Sequence, residues 1–142
     1  MRKYLLPIIA GAMAIGSTSA FALQASDNFQ ARITIQTSCI VTADDLDFGN
    51  VGVIVGGEAA SANVDVNCSA GTAYTLSFDS ASIVTSYNSS MVNGGSSVDY
   101  SAAISGGGGT GPATFTINGV LPNQVTPAAG IYTDNQTVYV NY

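Results

Sequence analysis

The sequence predicts an all-β protein built as an antiparallel sandwich of short strands. Thr, Val, Ile, Tyr and Phe recur in brief alternating runs, and clusters of Gly, Asn, Ser, Asp or Pro punctuate them. No segment carries a convincing helical period. The length of 142 residues fits one domain rather than two, the more so because its first residues read as a leader. Many short strands separated by turn signals are the pattern of two packed antiparallel sheets.

The leader is residues 1–22. Arg2 and Lys3 precede the apolar run Leu5 to Ile15, which is too short to span a bilayer, and the small-residue stretch Gly16 to Ala22 follows. Ala20, Phe21 and Ala22 fit a small-residue cleavage site, which places the cut after Ala22, with a cut after Ala20 as the alternative, and sends the mature chain, with no membrane insertion, out of the cytoplasm.

The next segment, residues 23–37, has the cleanest alternation in the chain. Phe29, Ala31, Ile33 and Ile35 are apolar, and Gln30, Arg32, Thr34 and Gln36 between them and after them are polar. A strand is then expected over Ser38 to Thr42, followed by the acidic bend Asp44 and Asp45 and a short strand Leu46 to Phe48 stopped by Gly49 and Asn50. Further strands are expected over Ala62 to Cys68, with Val64, Val66 and Cys68 on one face, and over Ala73 to Phe78, with Tyr74, Leu76 and Phe78 together. Ser82 to Ser97 reads as a polar stretch. Val98 to Ile104 and Ala113 to Ile117 read as strands, and the last one is expected over Ile131 to Tyr142, where Val138, Val140 and Tyr142 alternate with Thr137, Tyr139 and Asn141.

Composition restricts chemistry. The chain has no His and no Trp, and its three basic residues are Arg2, Lys3 and Arg32, so beyond the leader Arg32 stands alone against nine carboxylates. Such an acidic chain repels polyphosphate, which excludes nucleic acid as a partner. Without imidazole or a mature-chain Lys there is no ordinary general base near neutral pH, no Schiff-base amine and no imidazole metal ligand. A pair of carboxylates flanking a sugar cleft survives that filter, but Glu58 is the only Glu and no Trp platform exists. The reading is a protein without catalytic residues, cofactor or metal.

Three local features have plainer explanations than chemistry. Asp44, Asp45 and Asp47 match no complete calcium loop and read as a solvated turn. Ser105 to Gly111, with five Gly, lacks the Lys and the helix of a phosphate loop and reads as a flexible hairpin connection. The Asn-x-Ser/Thr matches at Asn67, Asn88 and Asn135 are expected by chance in so Ser- and Thr-rich a chain.

Cys39 and Cys68 are the only cysteines, and in an exported chain one disulfide is their simplest use. Closing a loop of roughly 30 residues is worth about 3–4 kcal/mol in the chain-entropy model. The pair also serves as a ruler. It ties the start of the first body strand to the second, leaving residues 23–37 outside the body, while the last strand is still running at Tyr142. The sandwich thus reads as lacking its closing strand. An unclosed sandwich exposes an apolar groove and two unpaired edges, and residues 23–37 have the length and alternation to fill such a groove in a neighbouring molecule. An ordinary first strand of a self-contained sandwich is the alternative, and it leaves the missing strand unexplained.

The order and spacing of several motifs resemble the spore coat protein U domain family. They are Cys39-Ile-Val, LDFG at Leu46 to Gly49, VNC at Val66 to Cys68, GTAYTLSF at Gly71 to Phe78, MVNG at Met91 to Gly94, GVLPNQ at Gly119 to Gln124, and the ending AGIYTDNQTVYVNY. The chain departs from the family pattern at Gly119 and Val120, where a basic residue is common, and in its Gly-rich region after Tyr100. The resemblance covers residues 23–142 and implies a subunit of archaic, Csu-type chaperone-usher pili. It implies an incomplete immunoglobulin-like sandwich over residues 38–142 that lacks its last strand and is completed by donor-strand complementation. The implied partners are a periplasmic chaperone, an outer-membrane usher and identical or related pilus subunits. The inserted side chains are then Phe29, Ala31, Ile33 and Ile35. The acceptor groove is expected to be lined by Leu46 and Phe48 on one side and by Val138, Val140 and Tyr142 on the other. The implied role is surface adhesion and biofilm formation. A secreted monomeric surface- or carbohydrate-binding module, and a spore or cyst coat component of the same fold, are the alternatives.

Overall fold

The computed structural model describes residues 23–142, so the leader and its cleavage site lie outside the described residues. The chain divides into two units, Met1–Ile33 and Thr34–Tyr142. In the first, residues 23–33 form neither strand nor helix and every one is exposed. The second unit holds every strand, and no helix occurs among the described residues.

Eight strands make two antiparallel sheets: β1 (Cys39–Ala43), β2 (Ala59–Cys68), β3 (Ala73–Ser77), β4 (Ser86–Asn93), β5 (Ser96–Ser105), β6 (Gly108–Thr110), β7 (Ala113–Val120) and β8 (Tyr139–Asn141). The larger sheet has the order β1-β2-β7-β5-β4 and the smaller β6-β3-β8. The expected all-β, immunoglobulin-like sandwich is the fold observed. Alternation decides which face of each strand is buried: Ala62, Val64, Val66 and Cys68 on β2, Val98, Tyr100, Ala102 and Ile104 on β5, and Ile117 on β7. These meet Tyr74 and Leu76 of β3 in one core. Ser77 is buried on the other parity because its hydroxyl is satisfied, donating to the Ser82 carbonyl at 2.6 Å and accepting the Val84 N–H at 2.8 Å.

Cys39 and Cys68 face each other in the β1–β2 ladder and are disulfide-bonded. The bridge joins neighbouring strands of one sheet at its edge.

Four expectations for strands need correction. Leu46 to Phe48 is not a strand: the chain leaves β2 after the Asp44 N–H donates to the Asn63 carbonyl at 2.9 Å. Ser86–Asn93, inside the stretch read as merely polar, is β4, because an edge strand needs only the β5 backbone beside it and Tyr87 and Met91 turned toward the core. The two-residue turn Gly94-Gly95 closes that hairpin, with Gly94 at φ 58°. The Gly run supplies β6, which pairs with β3. A Cβ on Gly108 would collide with the Tyr74 carbonyl, so close backbone approach selects glycine there. Finally, only Tyr139–Asn141 of the long terminal segment joins a ladder; Thr133 instead bridges to Val92 on β4. The chain between them passes from one sheet to the other, which a continuous strand cannot do.

Candidate strand-acceptor groove

An apolar cavity lies against the larger sheet, and Gly119 sets one of its walls. A Cβ on this buried β7 residue would stand 2.7 Å from Leu46 Cδ2 and 2.8 Å from Phe48 Cζ. Glycine therefore lets Leu46 and Phe48 lie down on the larger sheet, and both pack half-buried against the core. Asp47, between them, points outward; its Oδ1 accepts the Gly49 N–H at 2.7 Å and turns the chain. The wall continues to buried Ile54, whose N–H donates to Thr126 Oγ1 at 2.8 Å.

Glu58 holds the end of this wall. Its carboxylate accepts the Val55 and Gly56 N–H groups at 2.9 and 3.0 Å, while Gly57 and Glu58 exchange backbone bonds with Leu121. The Val55 hydrogen bond, aided by that of Gly56, holds the Glu58 carboxyl below its ordinary range. Between this wall and the chain from Thr126 to Tyr132 lies a cavity of about 700 Å³, floored by Met91, Val98 and Leu121.

Apart from that cavity, β8 is an edge strand of the smaller sheet. It pairs with β3 through Thr75↔Asn141, Leu76↔Val140 and Ser77↔Tyr139, and its other edge has no ladder partner among the described residues. Val138 and Val140 pack half-buried against the core, whereas Tyr142 is 62% exposed. Asp134 ties the segment before β8 to the larger sheet. Its Oδ2 accepts the Ser89 hydroxyl at 2.6 Å, the Tyr100 hydroxyl at 2.8 Å and the Gln136 amide at 2.9 Å. Desolvation works to raise the Asp134 pKa, but the bonds from Ser89, Gln136 and Tyr100 and the Asn135 backbone outweigh it and hold the group below its ordinary value. The Tyr100 hydroxyl is pushed well up by burial, then by its bonds to Tyr87 and Asp134. An aromatic chain of edge-to-face contacts underlies the network, from Phe48 to Tyr100 at 6.1 Å, Tyr100 to Tyr87 at 5.8 Å and Tyr87 to Phe78 at 4.5 Å.

Chemically, the arrangement offers apolar surface plus the unpaired N–H and C=O groups of one strand edge, the two things an added strand binds. Of the residues expected at the groove, Leu46 and Phe48 line the cavity, while Val138, just before β8, and Val140, on β8, do not. Met91, Ile54, Val98 and Leu121, which the sequence reading did not place there, line it as well. Met91 belonged to the unrecognised β4, and the Gly94-Gly95 turn was its available signal. Phe29, Ile33 and Ile35 are 91%, 83% and 80% exposed.

This is a disulfide-bonded immunoglobulin-like β-sandwich in which, among the described residues, β8 lies at a sheet edge and an apolar cavity opens between residues 46–54 and 126–132. The chain belongs to the Spore Coat Protein U domain family, whose model matches residues 25–102, from the segment before β1 into β5. Members of that family are found in chaperone-usher pilus subunits and in spore coat proteins, as structural rather than enzymatic components at the cell surface. No curated protein and no solved structure matches the chain.

Proposed function

We propose that this protein is a structural subunit of a surface pilus, held by a periplasmic chaperone, passed through an outer-membrane usher and polymerised by donor-strand exchange for adhesion and biofilm formation. In this reading residues 1–22 are a leader removed after Ala22, residues 23–37 are the donor strand, and residues 38–142 are the acceptor body. The observation that carries it is a match of opposites. The body has an edge strand, β8, without a second ladder partner among the described residues, and an apolar cavity lined by Leu46 and Phe48, and residues 23–37 carry an alternating apolar face that no described strand pairs with. Phe29, Ala31, Ile33 and Ile35 enter the groove, against Leu46, Phe48, Val138 and Val140, with Tyr142 at its exposed end. Burying the three large donor side chains contributes on the order of 5–9 kcal/mol gross, before the cost of ordering the strand. Membership of a family found in such pili supports the same conclusion.

Ile33→Asp places a charge in the groove and is expected to abolish fibres while leaving the body folded. Deleting Leu23 to Gln36 should give a monomer that folds with its chaperone and does not polymerise. Normal fibres from Ile33→Asp, seen by electron microscopy, would sink the reading, as would failure of the deleted chain to fold.

A further inference from the structure

In a fibre of this kind each copy is pulled from two places: through residues 23–37, held by a neighbour, and through its own body, which holds the next strand. Tension carried by residues 23–37 enters the body at Ser38, immediately before β1. β1 is poorly held against it. The strand lies at the end of the larger sheet, pairs with β2 alone, and begins its ladder at the first residue pulled, Cys39 opposite Cys68. An edge strand pulled from its end gives way one backbone bond after another, and forced unfolding is governed by such opening rates rather than by net stability.

The disulfide sits at that first pair. We propose that the Cys39–Cys68 bridge, with Ser69 beside it, is a tension junction that carries the pull past β1 into β2; the proposal rests on the fibre reading, with residues 23–37 inserted in a neighbour. Tension arriving at Cys39 crosses the covalent bridge to Cys68 and never runs along residues 40–67. That shielded loop holds the rest of β1, the cavity wall from Leu46 to Ile54, and β2 up to Asn67. Cys68 is the better anchor, because it is buried and β2 is flanked on both sides, by β1 and, from Ala59↔Val120 to Val66↔Ala113, by β7. Ser69 takes up the slack ahead of the bridge. Its hydroxyl donates to the Gln36 carbonyl at 3.1 Å and accepts the Ser38 N–H at 3.1 Å, and its own N–H donates to the Ser38 carbonyl at 2.9 Å. A bridge further along the ladder would leave the first pairs open to peeling.

The test is the extension of single fibres assembled in the protein's own host, stretched between a surface and a bead before and after reduction. Thiol labelling confirms that the bridge is open; where assembled fibres resist reduction, fibres of the Cys39→Ser, Cys68→Ser chain replace them. Oxidised fibres should keep residues 39–68 closed up to breakage. Reduced fibres should lengthen at lower force, by up to about 100 Å per subunit, the span of the 29-residue separation at roughly 3.4 Å per residue. Ser69→Ala with the bridge intact should add only the slack of residues 36–38, about 10 Å, without a fall in the breaking force. Reduced fibres that lengthen and break as oxidised ones do overturn the junction, and so does Ser69→Ala if it lengthens fibres as much as reduction. Ile33→Asp separates the two levels. If that variant forms normal fibres, the inserted-strand reading falls; if it forms none and reduction leaves wild-type fibres unchanged, only the junction falls.

Discussion

Gly119 sits where three chains converge, opposite Ala60 of β2 and Ala102 of β5 and beneath Leu46 and Phe48. Any side chain there must evict one of the two, so Gly119→Val should destabilise the fold by about 1–3 kcal/mol, the usual cost of overpacking; urea denaturation reads it directly. Asp134 makes a second prediction at this scale. Its folded pKa lies below the ordinary 3.8, so the unfolded chain binds its proton more readily. The stabilisation is fully present above that ordinary value and is lost as pH falls through the lower folded value. Glu58 has the same sign relative to its ordinary 4.5. Denaturation midpoints should thus hold steady from neutral pH to about 5 and fall below about 4, and Asp134→Asn should flatten part of that fall; an unchanged profile in the variant would remove Asp134 from the explanation.

At the scale of elements, the disulfide joins the start of β1 to the end of β2, at the opposite end of the ladder from where the chain departs toward Leu46 and Phe48. With a sequence separation of 29 residues, replacing both cysteines by serine should cost about 3–4 kcal/mol, measured as a lowered unfolding midpoint. The strands with clean period-two burial, β2, β5 and β7, were legible because each buries one whole face, and alternation is the record of that. β4 and β6 were not. Both lie at sheet edges, and both are held chiefly by backbone bonds that leave little trace in side-chain type. The segment Leu46 to Phe48 erred the other way: its alternation is real, and its two apolar residues are turned inward, but no strand lies beside it to complete a ladder.

At the scale of the whole molecule, charge is concentrated in an unusual way. Arg32 is the only basic residue beyond residue 22 and lies inside the proposed donor strand. Beyond residue 22, trypsin should therefore cut the unassembled chain at Arg32 alone, where every neighbouring residue is exposed, and should cut assembled fibres far more slowly; mass spectrometry of the digests distinguishes the two, and ready cleavage in fibres would count against insertion. Local pattern was enough to determine the fold class, the single cysteine pairing and the two alternating faces, because burial on one side of a strand writes itself into residue type every second position. The tertiary structure alone decided that the terminal segment changes sheets between Thr133 and Tyr139, that Gly119 admits Leu46 and Phe48, and that β8 lies at a sheet edge among the described residues. Each of those depends on which distant backbone lies alongside, and residues far apart in the chain carry no local signal of that.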